Sequence, residues 1–181
     1  VLYDGCGRVA LVEPTLLDAR EVMIEGVSGL AHLGRVSQRP VYQSSRRRLE
    51  WPNGAVAQVF SAEDPDSLRG PQFDTAWCDE IGAWSRADQA WDMLMFGLRL
   101  GDRPQAAATT TPRSTALIKR LLDQADTVST HADTNSNTAN LSAGFVDAMQ
   151  ARYGGLTIGR QELDGELVRD PERALWRREG I

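Results

Sequence analysis

Lysine is almost missing from this chain: one residue, Lys119, stands beside nineteen arginines in 181 positions. GC-rich coding accounts for such a bias, but it also excludes a phosphate-gripping lysine nearly everywhere. Cysteine is as scarce. Cys6 and Cys78 lie far apart, and Cys78 sits inside an apolar run. That excludes a disulfide framework or a zinc site and reads as free thiols in a reducing compartment. No apolar run reaches the roughly 18 residues that a membrane-crossing helix needs. There is no basic excess either: the net charge of −5 gives no global pull on nucleic acid, although a local patch still can. No signal peptide precedes the chain, and because it opens on Val1 its true N-terminus is expected upstream.

What is present fits an ordinary globular domain. The chain is 41% hydrophobic and 25% charged, and it is long enough to bury a substantial core. Residues 8–13 form an apolar run stopped by Pro14, as in a buried strand. Thr15 then caps a helix with Asp18 at its third position, and Val22 and Met23 continue an apolar face. Residues 26–48 read as loop, interrupted by Gly26, Gly29, Gly34 and Pro40. Two strand-like runs, 48–51 and 55–60, flank Pro52-Asn53-Gly54, whose Asn-Gly pair predicts a hairpin. A polar loop over 61–74 leads to the run Thr75-Ala76-Trp77-Cys78. Ser85 to Asp88 cap a helix whose core positions are Ala87, Ala90, Trp91, Leu94, Met95 and Leu98, ending at Gly101. Residues 105–108 predict another strand, closed by the turn Thr109-Thr110-Thr111-Pro112. Beyond it, Leu117, Ile118, Leu121, Leu122 and Ala125 mark an amphipathic helix. A further strand is expected at 127–131, and 133–141 read as loop. Phe145, Ala148, Met149 and Tyr153 trace a helix stopped by Gly154-Gly155. A charged helix covers 157–169, and Pro171 marks a break.

Alternating strands and helices predict an α/β fold with a mostly parallel sheet. Ligands in such sheets bind beyond the C-terminal strand ends. Three predicted strand ends carry polar residues there: Glu13-Pro14-Thr15, Asp79-Glu80 and Thr109 to Pro112. The acidic pair is the most informative. In P-loop ATPases the first carboxylate at such a strand end holds Mg²⁺ through water and the second orients the attacking water. That assigns Asp79 to the metal and Glu80 to the water, whereas a solvated turn at a strand end is the plainer reading of the same residues.

Taken in order, several motifs resemble one family. They are residues 9–15 (Val-Ala-Leu-Val-Glu-Pro-Thr), 51–54 (Trp-Pro-Asn-Gly), 60–74 with Leu68-Arg69-Gly70-Pro71 at their centre, 77–80 (Trp-Cys-Asp-Glu), 109–112 (Thr-Thr-Thr-Pro) and 159–167 (Gly-Arg-Gln-Glu-Leu-Asp-Gly-Glu-Leu). Together they are similar to the ATPase domain of the large terminase subunit, the DNA-packaging motor of tailed phages, in the branch found in alphaproteobacterial prophages and gene transfer agents. The resemblance implies a P-loop NTPase-like parallel sheet flanked by helices with a β-hairpin insertion. It implies ATP and Mg²⁺ as cofactors, with Asp79 on the metal and Glu80 catalytic. Thr109, Thr110 and Thr111 match a coupling motif that senses the γ-phosphate. Arg69 matches an arginine finger offered to a neighbouring subunit, and equally fits a surface arginine paired with Asp64 or Asp66. Arg46, Arg47 and Arg48, with Arg35 and Arg39, give five cations and no acid between 35 and 48, a candidate DNA contact or a solvated basic loop. The implied partners are double-stranded DNA, a portal protein, a small terminase subunit and further copies in a ring, in the cytoplasm of a bacterial host with no membrane.

One part of the family pattern has no match. The phosphate loop Gly-x-x-x-x-Gly-Lys-Ser/Thr is expected before the first strand, and Gly5-Cys6-Gly7 does not replace it. The first, phosphate-loop strand and helix are therefore expected to be missing. So is the nuclease domain, with residues 1–170 as ATPase domain and 171–181 as the start of a linker. On this reading the chain is a terminase fragment with little ATPase activity of its own. Two other readings stay open: a fragment of another helicase- or translocase-type ATPase, and a non-catalytic interaction module.

Overall fold

Five of the six residues of β1 (Arg8–Glu13) are buried, as expected of a strand covered on both faces. In the computed structural model, which describes residues 7–142 and 144–168, β1 is the strand around which the sheet is built. It pairs in parallel with β4 (Val56–Ser61) on one side and β5 (Thr75–Cys78) on the other. β6 (Gln105–Ala108) continues the parallel set beyond β5. On the far side β3 (Arg48–Glu50) and β2 (Val41–Gln43) add antiparallel pairs, giving the order β2-β3-β4-β1-β5-β6. The β3–β4 hairpin turns at Asn53-Gly54: Gly54 takes φ 87°, and Asn53 Oδ1 accepts from the Ala55 amide at 3.1 Å.

The chain divides into two compact units after Thr109. In the first, the hydroxyl of Thr15 accepts from the Asp18 amide at 3.1 Å and starts α1 (Leu16–Asp18), which runs into a π-helical stretch, Ala19–Ile24. Met23 and Ile24 from that stretch pack with Val9, Leu11, Leu49, Trp51 and Val59 in one hydrophobic cluster. Elsewhere in the same unit Phe60 and Phe73 meet edge to face at 5.4 Å. α2 (Ala87–Gly97) buries Ala90, Trp91, Leu94 and Gly97. Glycine at 97 makes room for the Phe73 ring, since a Cβ there would lie 3.2 Å from it and force a shift of a few tenths of an ångström. At the start of β1, Asp74 Oδ2 accepts from the amides of Gly7 at 2.7 Å and Arg8 at 2.8 Å. The N-terminal end of the sheet is thereby pinned, opposite the polar strand ends.

The second unit holds α3 (Ala116–Asp123), capped by the Thr115 hydroxyl and burying Leu117, Ile118 and Leu121. It also holds α4 (Phe145–Tyr153) and α5 (Thr157–Glu162). Among the described residues no helix is long and apolar enough to cross a membrane.

Several expectations need correction. The stripe that α2 buries runs 90, 91, 94, 97, so Met95 falls on its flank and is 36% exposed, and the helix ends at Gly97 rather than Gly101. No side chain of Ser85 caps it; Arg86 holds that position without a side-chain bond. Val22 and Leu122 are exposed for the same geometric reason. Residues 127–131 form no strand: Val128 is 91% exposed, and His131 instead approaches the carbonyls of Asp164 and Gly165. The helix expected over 157–169 stops at Glu162, shortly before Gly165 turns the backbone at φ 65°. Within the span read as loop, 41–43 join the sheet as β2. The expectations for Cys6 and for residues from Pro171 onward lie outside the described residues.

Candidate active site

Parallel register brings four strand ends to one edge. Glu13 stands opposite Ser61 across β1 and β4. Val12 pairs with Cys78 and Cys78 with Ala108, so the next residues on those strands, Glu13, Asp79 and Thr109, follow side by side at spacings of about 4.8 Å. The ladder continues past the last pairs: the Asp79 amide donates to the Val12 carbonyl and the Thr109 amide to the Cys78 carbonyl, both at 2.9 Å. The Ile81 amide donates to the Thr109 carbonyl at 3.1 Å. Asp79 and Thr109 also meet through their side chains, the Thr109 hydroxyl donating to Asp79 Oδ1. The buried indole of Trp84 donates to the Asp79 carbonyl at 2.9 Å and fixes the chain behind it.

Glu80 has φ 47° and ψ 46°, the left-handed region. A residue with a Cβ held there costs roughly 1–2 kcal/mol. The contacts on either side enforce it, since the Glu80 carbonyl accepts from Ala83 at 2.8 Å while Ile81 and Trp84 are tied to Thr109 and Asp79. The strand therefore breaks sharply at the acidic pair rather than continuing.

Glu13 is expected at the polar edge from the sequence, which gives it no role of its own there. It is 3% exposed, and its pKa is pushed up to about 8, first by burial, then by the charges of Asp79 and Asp18, by a hydrogen bond with Asp79, and by Glu80. Near neutrality the carboxyl keeps its proton and donates it to Asp79, while its Oε1 is buried with no hydrogen-bond partner. An acidic residue inside an otherwise apolar strand run was the available signal. Cys78 beside it is buried and its thiol is pushed up by that burial, so it is no nucleophile.

The donor set suits a hard cation: a carboxylate at Asp79, a carboxyl at Glu13 and a hydroxyl at Thr109, all oxygen. Among the described residues no group of three or more His, Cys, Asp or Glu is placed to hold a metal by itself. Mg²⁺ is suited to such a half-site, because it keeps several waters and takes ligands from phosphates. For the phosphates, the sequence has no Gly-x-x-x-x-Gly-Lys-Ser/Thr loop.

Thr110 and Thr111 open the second unit, and the Thr110 hydroxyl donates to the Thr111 carbonyl at 2.7 Å. Arg69 lies on the surface, its Nε 2.7 Å from Asp66 Oδ1, with both side chains more than half exposed. It lines an open groove with Pro71, Phe96 and Arg99. Exposed pairs of this kind contribute little, so Arg69→Ala is expected to change unfolding free energy by less than about 0.5 kcal/mol. A larger loss in urea denaturation would mean that the arginine is structural. Arg48 and Arg46 approach Glu50 at 2.9 Å and 3.8 Å, and Arg39 donates to the Gly34 carbonyl at 3.2 Å. Arg47 takes φ 51° and its carbonyl accepts from Val59 at 2.9 Å. The basic cluster is thus partly neutralised by an acid two residues beyond it.

The fold and the sequence are similar to known proteins. A family model described as terminase large subunit, T4likevirus-type, N-terminal, matches residues 7–181. The large terminase of a thermophilic bacteriophage, in complex with ATP-γ-S, is 14% identical, with a TM-score of 0.69 over 90% of this chain and 40% of that one. The ADP complex of the same phage protein gives 15% identity and a TM-score of 0.67, over 90% of this chain and 41% of that one. The large terminase ATPase domain of Thermus phage P74-26 is 18% identical, with a TM-score of 0.57 over 92% of this chain and 79% of that one. The chain spans about two fifths of the length of the nucleotide-bound large terminase, and no curated protein matches it. At these identities the solved structures speak for the fold, and the family match over nearly the whole length speaks for descent: the chain belongs to the large terminase subunit family, in its N-terminal region.

Proposed function

We propose that this chain is the body of a terminase ATPase domain, whose parent couples ATP hydrolysis to packaging of double-stranded DNA into a phage-like procapsid. The observation that carries the reading is the adjacency of Asp79, Glu80 and Thr109 at the C-terminal sheet edge, within a fold similar to nucleotide-bound terminases. Asp79 would hold Mg²⁺ through water, with its carboxylate oriented by the Thr109 hydroxyl. When bound, the ion neutralises charge on phosphate oxygens. Glu80 would orient a water and accept its proton. Thr109, followed by Thr110 and Thr111, fits the coupling position. Arg69, on an exposed groove with an ion pair that is cheap to release, is suited to act on a neighbouring subunit in a ring. Arg46, Arg47 and Arg48 are candidate contacts to DNA, and a portal protein and small subunit are the further partners. We place residues 1–170 in the ATPase domain and 171–181 in a linker toward a nuclease domain. A host-cell cytoplasmic setting, in a prophage or gene-transfer-agent system, goes with that role.

The sequence contains no Gly-x-x-x-x-Gly-Lys-Ser/Thr loop, and phosphoryl transfer depends on positioning and charge stabilisation. Calorimetric titration of the 181-residue chain with Mg²⁺–ATP is therefore expected to give weak or no binding and no phosphate release. Joining the upstream phosphate-loop segment of an intact relative is expected to restore both. Tight binding with steady turnover by the chain alone, or none after the extension, would sink the reading.

A further inference from the structure

The acidic edge contains one carboxyl that the roles of Asp79 and Glu80 leave unused. Glu13 ends β1 in the position next to Asp79 at the end of β5. It is almost fully buried, it is hydrogen-bonded to Asp79, and its Oε1 has no partner. Among the described residues, the charged groups that act on it most strongly, Asp79, Asp18 and Glu80, are acidic. Asp18 is held locally by the Thr15 hydroxyl at 2.7 Å. A buried carboxyl beside three acids, with an oxygen that accepts no hydrogen bond, becomes costly once ionised unless something cationic joins it. The neighbouring donors are oxygens, which select a hard divalent cation over a soft one.

We propose that Glu13 is a second protein ligand for the divalent cation, shared with Asp79 across the ends of β1 and β5. The free Oε1 supplies the donor that Asp79 alone lacks, and the Thr109 hydroxyl holds the Asp79 carboxylate in place. The cation is then bound by the chain before any phosphate arrives. This deepens the assignment of Asp79 to the metal and rests on it.

The test is a Mn²⁺ titration followed by electron paramagnetic resonance, without nucleotide, on the parent chain, Glu13→Gln, Glu13→Asp and Asp79→Asn. The parent is expected to bind in the millimolar range or tighter. Glu13→Gln and Asp79→Asn are each expected to weaken binding roughly ten- to a hundredfold, and Glu13→Asp, which keeps an anionic oxygen, to recover part of the loss. Thermal unfolding supplies the second readout. Without metal at about pH 9, above the raised pKa of Glu13, Glu13→Gln should melt at or above the parent's temperature, whereas added Mn²⁺ should raise the melting temperature of the parent and not of the variant. Loss of binding in Asp79→Asn but not in Glu13→Gln overturns the role of Glu13 and leaves that of Asp79 intact. Loss in Glu13→Gln alone overturns the sharing and the assignment of Asp79 with it. No binding by the parent, or a lower metal-free melting temperature for Glu13→Gln at about pH 9, also overturns the proposal.

Discussion

Glu80→Gln, placed in a chain extended with a phosphate-binding loop, is expected to lower ATP turnover by roughly 10²–10⁴ while leaving nucleotide affinity unchanged. The amide keeps the shape of the side chain but cannot accept the proton of the attacking water. Steady-state phosphate release and calorimetric titration on the same preparations separate the two quantities. Undiminished turnover would remove Glu80 from the chemistry. The backbone adds an independent check. Because Glu80 sits at φ 47°, Glu80→Gly relieves a strain on the order of 1 kcal/mol, offset in part by the freedom glycine gains in the unfolded chain. Glu80→Gly tests the backbone separately from the carboxylate, and it should be as inactive as Glu80→Gln.

The parallel core was legible in the sequence because burial on both faces leaves a simple trace: unbroken apolar runs that stop at polar residues. The runs before Glu13 and Asp79 carry that trace, and so does the Asn-Gly turn of the β3–β4 hairpin. Strand order and register were not legible. They are set by pairing across distant parts of the chain, and only the pairing of Val12 with Cys78 places Glu13 beside Asp79. The pairing of Arg46 and Arg48 with Glu50 is local, four and two residues away, and is missed when the basic stretch is read only as far as Arg48. Misjudged helix faces, such as Met95 taken as core, have a local cause. Over three turns the periodicity fits two adjacent stripes, and the Phe73 ring packed against Gly97 selects one of them.

Stability should fall as pH rises across the acidic-to-neutral range, and Glu13→Gln should abolish most of that fall. The sign follows from where the proton is bound. The pKa of Glu13 is 4.5 in the unfolded reference and about 8 in the folded chain. Below the lower value both states are protonated and the contribution is fully present. Between the two values the unfolded chain has released the proton while the folded chain keeps it, so each rise in pH favours unfolding, by up to about 1.4 kcal/mol per unit. Above the upper value the loss is complete and the slope vanishes. Asp133 acts in a different window: the Ser136 hydroxyl and amide lower its pKa, so its contribution is present above its unfolded pKa and is lost only as pH falls through the lower folded value. The glutamine variant isolates Glu13, since its amide retains a donor for Asp79 but carries no titrating proton. Urea unfolding of parent and variant at about pH 5 and about pH 9 measures the difference directly. The variant should gain on the parent as pH rises and exceed it at the alkaline end. Parallel curves would mean that Glu13 is already ionised in the folded chain, with solvent or a cation compensating its charge.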